Sequence, residues 1–111
     1  MSDAMSEIWR RVASLAELDP DYPTRVKVDA RELALCLVDG AVFAIDNVCS
    51  HAFARLSDGH VEGFQVFCPL HGGSFDVRTG EVMSLPCTEP IAALECRVEG
   101  DAVFVKVGCD A

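Results

Sequence analysis

At 111 residues, half of them hydrophobic and 24% charged, the chain has the composition of one packed domain rather than of a disordered segment or a multidomain protein. Its formal net charge of −9 disfavours nucleic acid and anionic membrane surfaces, which both need a basic face, and favours basic protein partners. No run approaches the roughly 18 to 20 apolar residues of a membrane span, and "MSDAMSEIWRR" lacks the basic head and apolar centre of a secretory signal. The expectation is a cytoplasmic protein, with no membrane association and with its six cysteines reduced.

In chain order, "IWRRVAS" predicts a first strand, and "SLAELD" is too short for more than a helical turn. "TRVKVD" at 24–29 predicts a second strand. "ELALCLVDGAVFAID" holds two apolar runs, 33–38 and 41–45, joined at Asp39-Gly40, a strong two-residue hairpin signal. "HVEGFQVFC" turns at Glu62-Gly63 and "SFDVRTGEVM" around Thr79-Gly80. "CRVEGDAVFVKV" turns at Gly100-Asp101, ahead of the alternating Val103, Val105 and Val107. No repeat, low-complexity tract or linker interrupts these hairpins, so residues 1–111 form one domain. The predicted class is all-β, a small sandwich or barrel, because a single sheet would leave an apolar face in water.

The stretch "CSHAFARLSDGHVEGFQVFCPLHGG" holds two cysteines and all three histidines of the chain. It resolves into Cys49-x-His51, sixteen residues, then Cys68-x-x-His71. Each half supplies one thiolate and one imidazole just after a predicted strand, where loops can bring distant motifs together. Pro69 and the two glycines at 72 and 73 suit a tight loop around an enclosed group. Three readings are open. The four residues coincide without a common role; or they form a tetrahedral zinc site, although zinc-finger spacing groups like ligands together and here each motif mixes them; or they hold a [2Fe-2S] cluster, each loop giving one ligand to each iron. His60, with no cysteine at ligand spacing, is a solvated turn residue. Cys36 and Cys96, inside predicted strands, are small buried hydrophobes.

With its continuation "CPLHGGSFDVRTGEVMSLPC", this segment resembles the Rieske family, whose motif is Cys-x-His, fifteen to seventeen residues, then Cys-x-x-His. The resemblance is tight over 46–90 and loose over 9–107. It implies the Rieske fold, with a cluster-binding subdomain at about 46–87 inserted in a basal β domain. It implies one [2Fe-2S] cluster per chain, Cys49 and Cys68 on the inner iron and His51 and His71 on the outer iron near the surface. The two histidine rings would then form the edge where electrons pass, and Pro86 would belong to a third loop covering the cluster, beside Cys87.

Rieske proteins of respiratory quinol-oxidising complexes add two cysteines that bridge the cluster loops, and Ser and Tyr hydroxyls beside the cluster. The aligned positions here are Ala54, Leu70, Gly73 and Phe75. Ser74 is the one hydroxyl beside them. The absence of those donors implies a potential at the low end for Rieske centres, about −150 mV rather than +300 mV. The nearest likeness is to ferredoxin components of bacterial aromatic-ring-hydroxylating dioxygenase systems. These are not enzymes themselves; they carry single electrons from an NAD(P)H-dependent flavoprotein ferredoxin reductase to a terminal Rieske oxygenase. A Rieske small subunit of a larger oxidoreductase, such as a nitrite or arsenite oxidoreductase, and a zinc-stabilised interaction module are the alternatives. Asp58, Glu62, Glu81 and Glu89 flank the motifs and would either steer a basic partner or form a solvated face.

Overall fold

Among the described residues, alternating apolar residues and glycine-bearing turns generate eleven antiparallel strands in three sheets. The computed structural model describes residues 6–48, 54–70, 72–85 and 89–110. The first sheet, in the order β1-β11-β10, is built from β1 (Ser6–Ser14), β10 (Cys96–Glu99) and β11 (Ala102–Asp110). The second, β2-β3-β4-β9, contains β2 (Thr24–Val28), β3 (Arg31–Val38), β4 (Ala41–Asp46) and β9 (Ala93–Leu94). The third, β5-β6-β7-β8, contains the short strands β5 (His60–Glu62), β6 (Gln65–Phe67), β7 (Ser74–Asp76) and β8 (Val82–Ser84). The all-β class holds, and "SLAELD" supplies only a 3-10 turn at Leu15–Glu17.

The second sheet is the middle layer, and the strand period of two explains why. On β3, Leu33 and Leu35 point to a core shared with Ala44 of β4 and Val103 and Val105 of β11. The intervening Ala34, Cys36 and Val38 point the other way, into a core with Ile45, Leu56, Val66, Cys68 and Phe75 under the third sheet. A strand buried on both faces reads as an almost continuous apolar run, which "LALCLV" is. Each of the fully buried large side chains, such as Leu33 and Phe75, contributes about 1.5–3 kcal/mol by leaving water.

The Asp39-Gly40 hairpin forms as expected, with both residues at positive φ (52° and 82°), the two-residue geometry whose twist suits the flanking strands. The Gly100-Asp101 turn joins β10 to β11. The β5–β6 turn lies one residue later than the sequence suggests, at Gly63-Phe64, because Glu62 pairs with Gln65. Packing explains the displacement: Phe64 meets Phe43 edge-on with ring centres 6.0 Å apart, and the Arg78 guanidinium lies over its ring at 4.2 Å. The β2–β3 turn carries no glycine; Asp29 itself takes a φ of 55°.

Candidate metal centre

Three chain segments leave the scaffold on the side of the third sheet, and each is anchored differently. The first follows β4. Asn47 is fully buried, Val48 bridges back to Arg55, and the Leu56 amide donates to the Asn47 carbonyl at 2.6 Å. The stem of the loop carrying Cys49 and His51 is therefore closed at both ends. The Asn47 side chain is also fully engaged. Its Nδ2 donates to Glu32 Oε1 at 3.0 Å, and its Oδ1 accepts from the Ser57 amide at 2.8 Å. Arg55 Nε donates to the same Glu32 oxygen at 2.7 Å, and Arg25 pairs with the other oxygen at 3.1 Å. The Arg55 guanidinium first, and the Asn47 amide next, hold the Glu32 carboxyl below its ordinary range.

The second segment follows β6. The strand places Val66 in the core and then Cys68, which is 3% exposed in the same apolar cluster. The Cys68 amide donates to the Gly73 carbonyl at 2.8 Å, so four residues, 69–72, make the loop that carries His71. Gly72 sits at φ +75°, the left-handed region that its missing Cβ permits. The third segment follows β8, whose Ser84 pairs with Ser74 of β7 and leads through Leu85 to Pro86.

Of the expected ligands, Cys68 lies among the described residues, as a buried cysteine at a strand end and at the root of a tight loop. Cys49, His51 and His71, with Pro86 and Cys87, lie outside the described residues. The roots of the two ligand loops do converge, because Leu56 and Cys68 belong to one apolar cluster and Ala54 packs against it. A buried cysteine near the root of a second loop whose sequence carries one cysteine and one histidine fits a [2Fe-2S] group, whose Rieske form takes two ligands of each kind.

The other candidates have structural roles. The Ser74 hydroxyl is buried and tied to Gln65 Oε1 at 2.9 Å and Ser84 Oγ at 2.8 Å. Phe75 is fully buried and offers no donor. His60 lies on the exposed side of β5, its ring stacked on Phe67 with centres 4.9 Å apart and its Nε2 2.9 Å from Glu62 Oε2. Burial pushes the Cys36 and Cys96 thiols up to about 12, so both remain protonated and inert. Asp58, Glu62, Glu81 and Glu89 are all exposed.

Sequence reasoning misses two features of this region. The Glu32–Asn47–Arg55 network spans 15 and 23 residues, so only the sheet register reveals it. Gly59 stands so close to the Phe67 carbonyl that any Cβ would overlap it, and nothing in "SDGHVEG" separates this glycine from an ordinary turn glycine.

Residues 8–96 match the Rieske [2Fe-2S] domain. The ferredoxin component of a naphthalene 1,2-dioxygenase system from Pseudomonas aeruginosa is 41% identical over 93% of this chain and 99% of its own length. The ferredoxin of carbazole 1,9a-dioxygenase from Nocardioides aromaticivorans superposes with a TM-score of 0.84 at 40% identity, covering 91% of this chain and 97% of that one. A structure of a complex of reduced oxygenase and oxidised ferredoxin in carbazole 1,9a-dioxygenase contains a chain similar at 35% identity and a TM-score of 0.83, covering 94% of this chain and 97% of that one. With buried Cys68 at the root of one ligand loop and near-complete coverage of these relatives, the chain belongs to the Rieske [2Fe-2S] family, as a ferredoxin of the aromatic-ring dioxygenase type.

Proposed function

We propose that the protein carries single electrons in the cytoplasm from an NAD(P)H-dependent flavoprotein reductase to a terminal Rieske oxygenase. Cys49 and Cys68 hold one iron of its cluster, and His51 and His71 hold the other. The observation that carries this reading is the convergence of the two loop stems on one apolar cluster that already contains the Cys68 thiol. When bound, the cluster supplies one-electron chemistry at a potential set by its ligands, hydrogen bonds and exposure. The chain's own residues hold it at the end of the third sheet and keep water from its inner side with Leu56, Val66 and Phe75.

The same end of the molecule supports docking. Leu70, next to His71, is 47% exposed, and Leu85, next to Pro86, is 77% exposed. Large apolar side chains left in water beside a redox centre suit a transient interface, and the exposed acidic residues suit a basic partner. The dioxygenase system of the carbazole relative supports the choice of an oxygenase as acceptor. Residues 46–87 act as the cluster-binding part of a single domain.

The test is a reconstitution. Purified red-brown protein, reduced through a flavoprotein reductase and mixed with a Rieske oxygenase, should pass one electron per chain at a rate that falls as salt rises. A colourless protein with stoichiometric zinc overturns the reading, as does a cluster that survives both His51→Ala and His71→Ala.

A further inference from the structure

Asn47 lies two residues before Cys49, and Arg55 lies four after His51. Between them runs the loop that, on the reading above, brings one ligand to each iron. We propose that Asn47, Glu32 and Arg55 form a positioning clamp for this loop, setting where Cys49 and His51 stand and how long the cluster stays bound. The inference rests on that ligand assignment.

Asn47 is fully buried, and each of its four polar groups has a partner across the stem. Its amide donates to the Glu32 carbonyl at 3.1 Å and its carbonyl accepts from Leu56. Its Nδ2 reaches Glu32 Oε1, and its Oδ1 takes the Ser57 amide. Glu32 belongs to β3 of the middle sheet, whereas Ser57 and Leu56 follow the loop. One residue therefore ties the departing strand, the returning 3-10 turn at Leu56–Asp58 and the sheet beneath them. Arg55 adds a charge-assisted bond from the returning side to the same oxygen, and Arg25 balances the second oxygen.

A buried amide with every group satisfied specifies one geometry, because any shift of the stem strands a donor or acceptor out of water. Groups that orient ligands without touching the metal change affinity and electronic structure when removed. The nearby Arg31–Asp46 pair at 3.1 Å provides the contrast: it is an exposed pair between β3 and β4, with the other Asp46 oxygen taken by the Ala92 amide.

The experiment uses the holoprotein with Asn47→Ala, Glu32→Gln and, as control, Arg31→Ala. Three quantities are compared: the rate of iron release to a chelator, the electron paramagnetic resonance g values and widths of the reduced form, and the midpoint of unfolding by far-ultraviolet circular dichroism. Asn47→Ala is expected to release iron about tenfold faster or more, with a broadened spectrum. Glu32→Gln should shift both in the same direction with less effect on folding, so it decides the matter if Asn47→Ala does not fold. Arg31→Ala should leave all three near the parent. Parental release rates and spectra in Glu32→Gln and in folded Asn47→Ala overturn the proposal. So does faster release that merely tracks a lowered midpoint while the spectrum stays parental. Failure of the ligand assignment has a separate signature, a parent protein without iron or a cluster indifferent to His51→Ala.

Discussion

The two loops proposed to carry the ligands leave the same core yet are held differently. The stem at 47–56 is closed by the Val48–Arg55 bridge and the Leu56 amide, and in addition by side chains that reach down to Glu32 in the middle sheet, so the position of that loop is coupled to the basal scaffold. The stem at 68–73 is closed by backbone, with the β6–β7 ladder extended by the bond from Cys68 to Gly73, and depends on its own small sheet. Backbone closure tolerates many side chains but no displacement of the strand. Side-chain closure tolerates strand motion poorly as well, and is additionally open to single substitutions and to acid.

The largest effect is expected where the backbone of the second stem is pushed. Gly59→Ala would drive a methyl into the Phe67 carbonyl, one residue before Cys68, and neither atom belongs to a flexible side chain. The strand must move, so the variant should lose the cluster and about 2–4 kcal/mol of stability. Gly63→Ala in the same hairpin has open space at its Cβ and suffers only from its φ of +58°, costing about 1 kcal/mol with the cluster retained. Iron content and urea unfolding of the pair check this; equal iron in both would show that the second stem is not rigidly closed.

A smaller shift, in potential rather than occupancy, sharpens the comparison at the cluster itself. Gly73 and Phe75 are both buried on the second stem and give the cluster no hydroxyl. Gly73→Ser with Phe75→Tyr should raise the reduction potential by roughly tens of millivolts, because donors near the sulfurs stabilise the extra electron. Protein-film voltammetry measures it, and an unchanged potential with an intact cluster would remove hydroxyl donation as the cause of a low value.

These expectations draw on features of uneven legibility. The hairpins were legible wherever a glycine must sit at positive φ, as at Gly40 and Gly100, since local backbone sterics alone demand the turn. The β2–β3 turn was not, because Asp29 takes that conformation without a glycine to announce it. The turn at Phe64 slipped by one residue because a tertiary contact, the Phe43 and Arg78 packing, placed an aromatic where polar residues are usual. At the centre, the spacing of Cys49, His51, Cys68 and His71 pointed to the family, while of these four only Cys68, buried at a strand end, lies among the described residues. The clamp was hidden because Glu32 and Asn47 meet only through the register that sets Leu33 opposite Asp46.

Acid tests the side-chain stem more gently. The folded carboxyl of Glu32 lies below its ordinary value of 4.5. Its contribution is complete above that value and is lost as pH falls through the lower folded one. Asp76, held below 3.8 chiefly by the Arg78 side chain on the β7–β8 turn, loses its contribution in the same direction. The melting temperature should therefore fall between about pH 5 and 3, and Glu32→Gln should flatten part of that slope while Asp76 retains the rest. Identical slopes in parent and variant would show that Glu32 is not engaged in the folded state.

The smallest effect is expected from His60→Ala, which removes a histidine from the same 25-residue motif region without touching either stem. His60 faces solvent on β5, opposite Phe67 across the pair, while the backbone bonds that place Cys68 run through β6 and β7. Truncation forfeits the stack on Phe67 and the contact with Glu62, about 0.5–1 kcal/mol for an exposed cross-strand pair. Phe67 keeps its own ladder position, so Cys68 has no reason to shift. Iron content, spectrum and potential should stay at parental values. Loss of the cluster in His60→Ala but not in His71→Ala would instead mean that the second stem presents its ligand from β5.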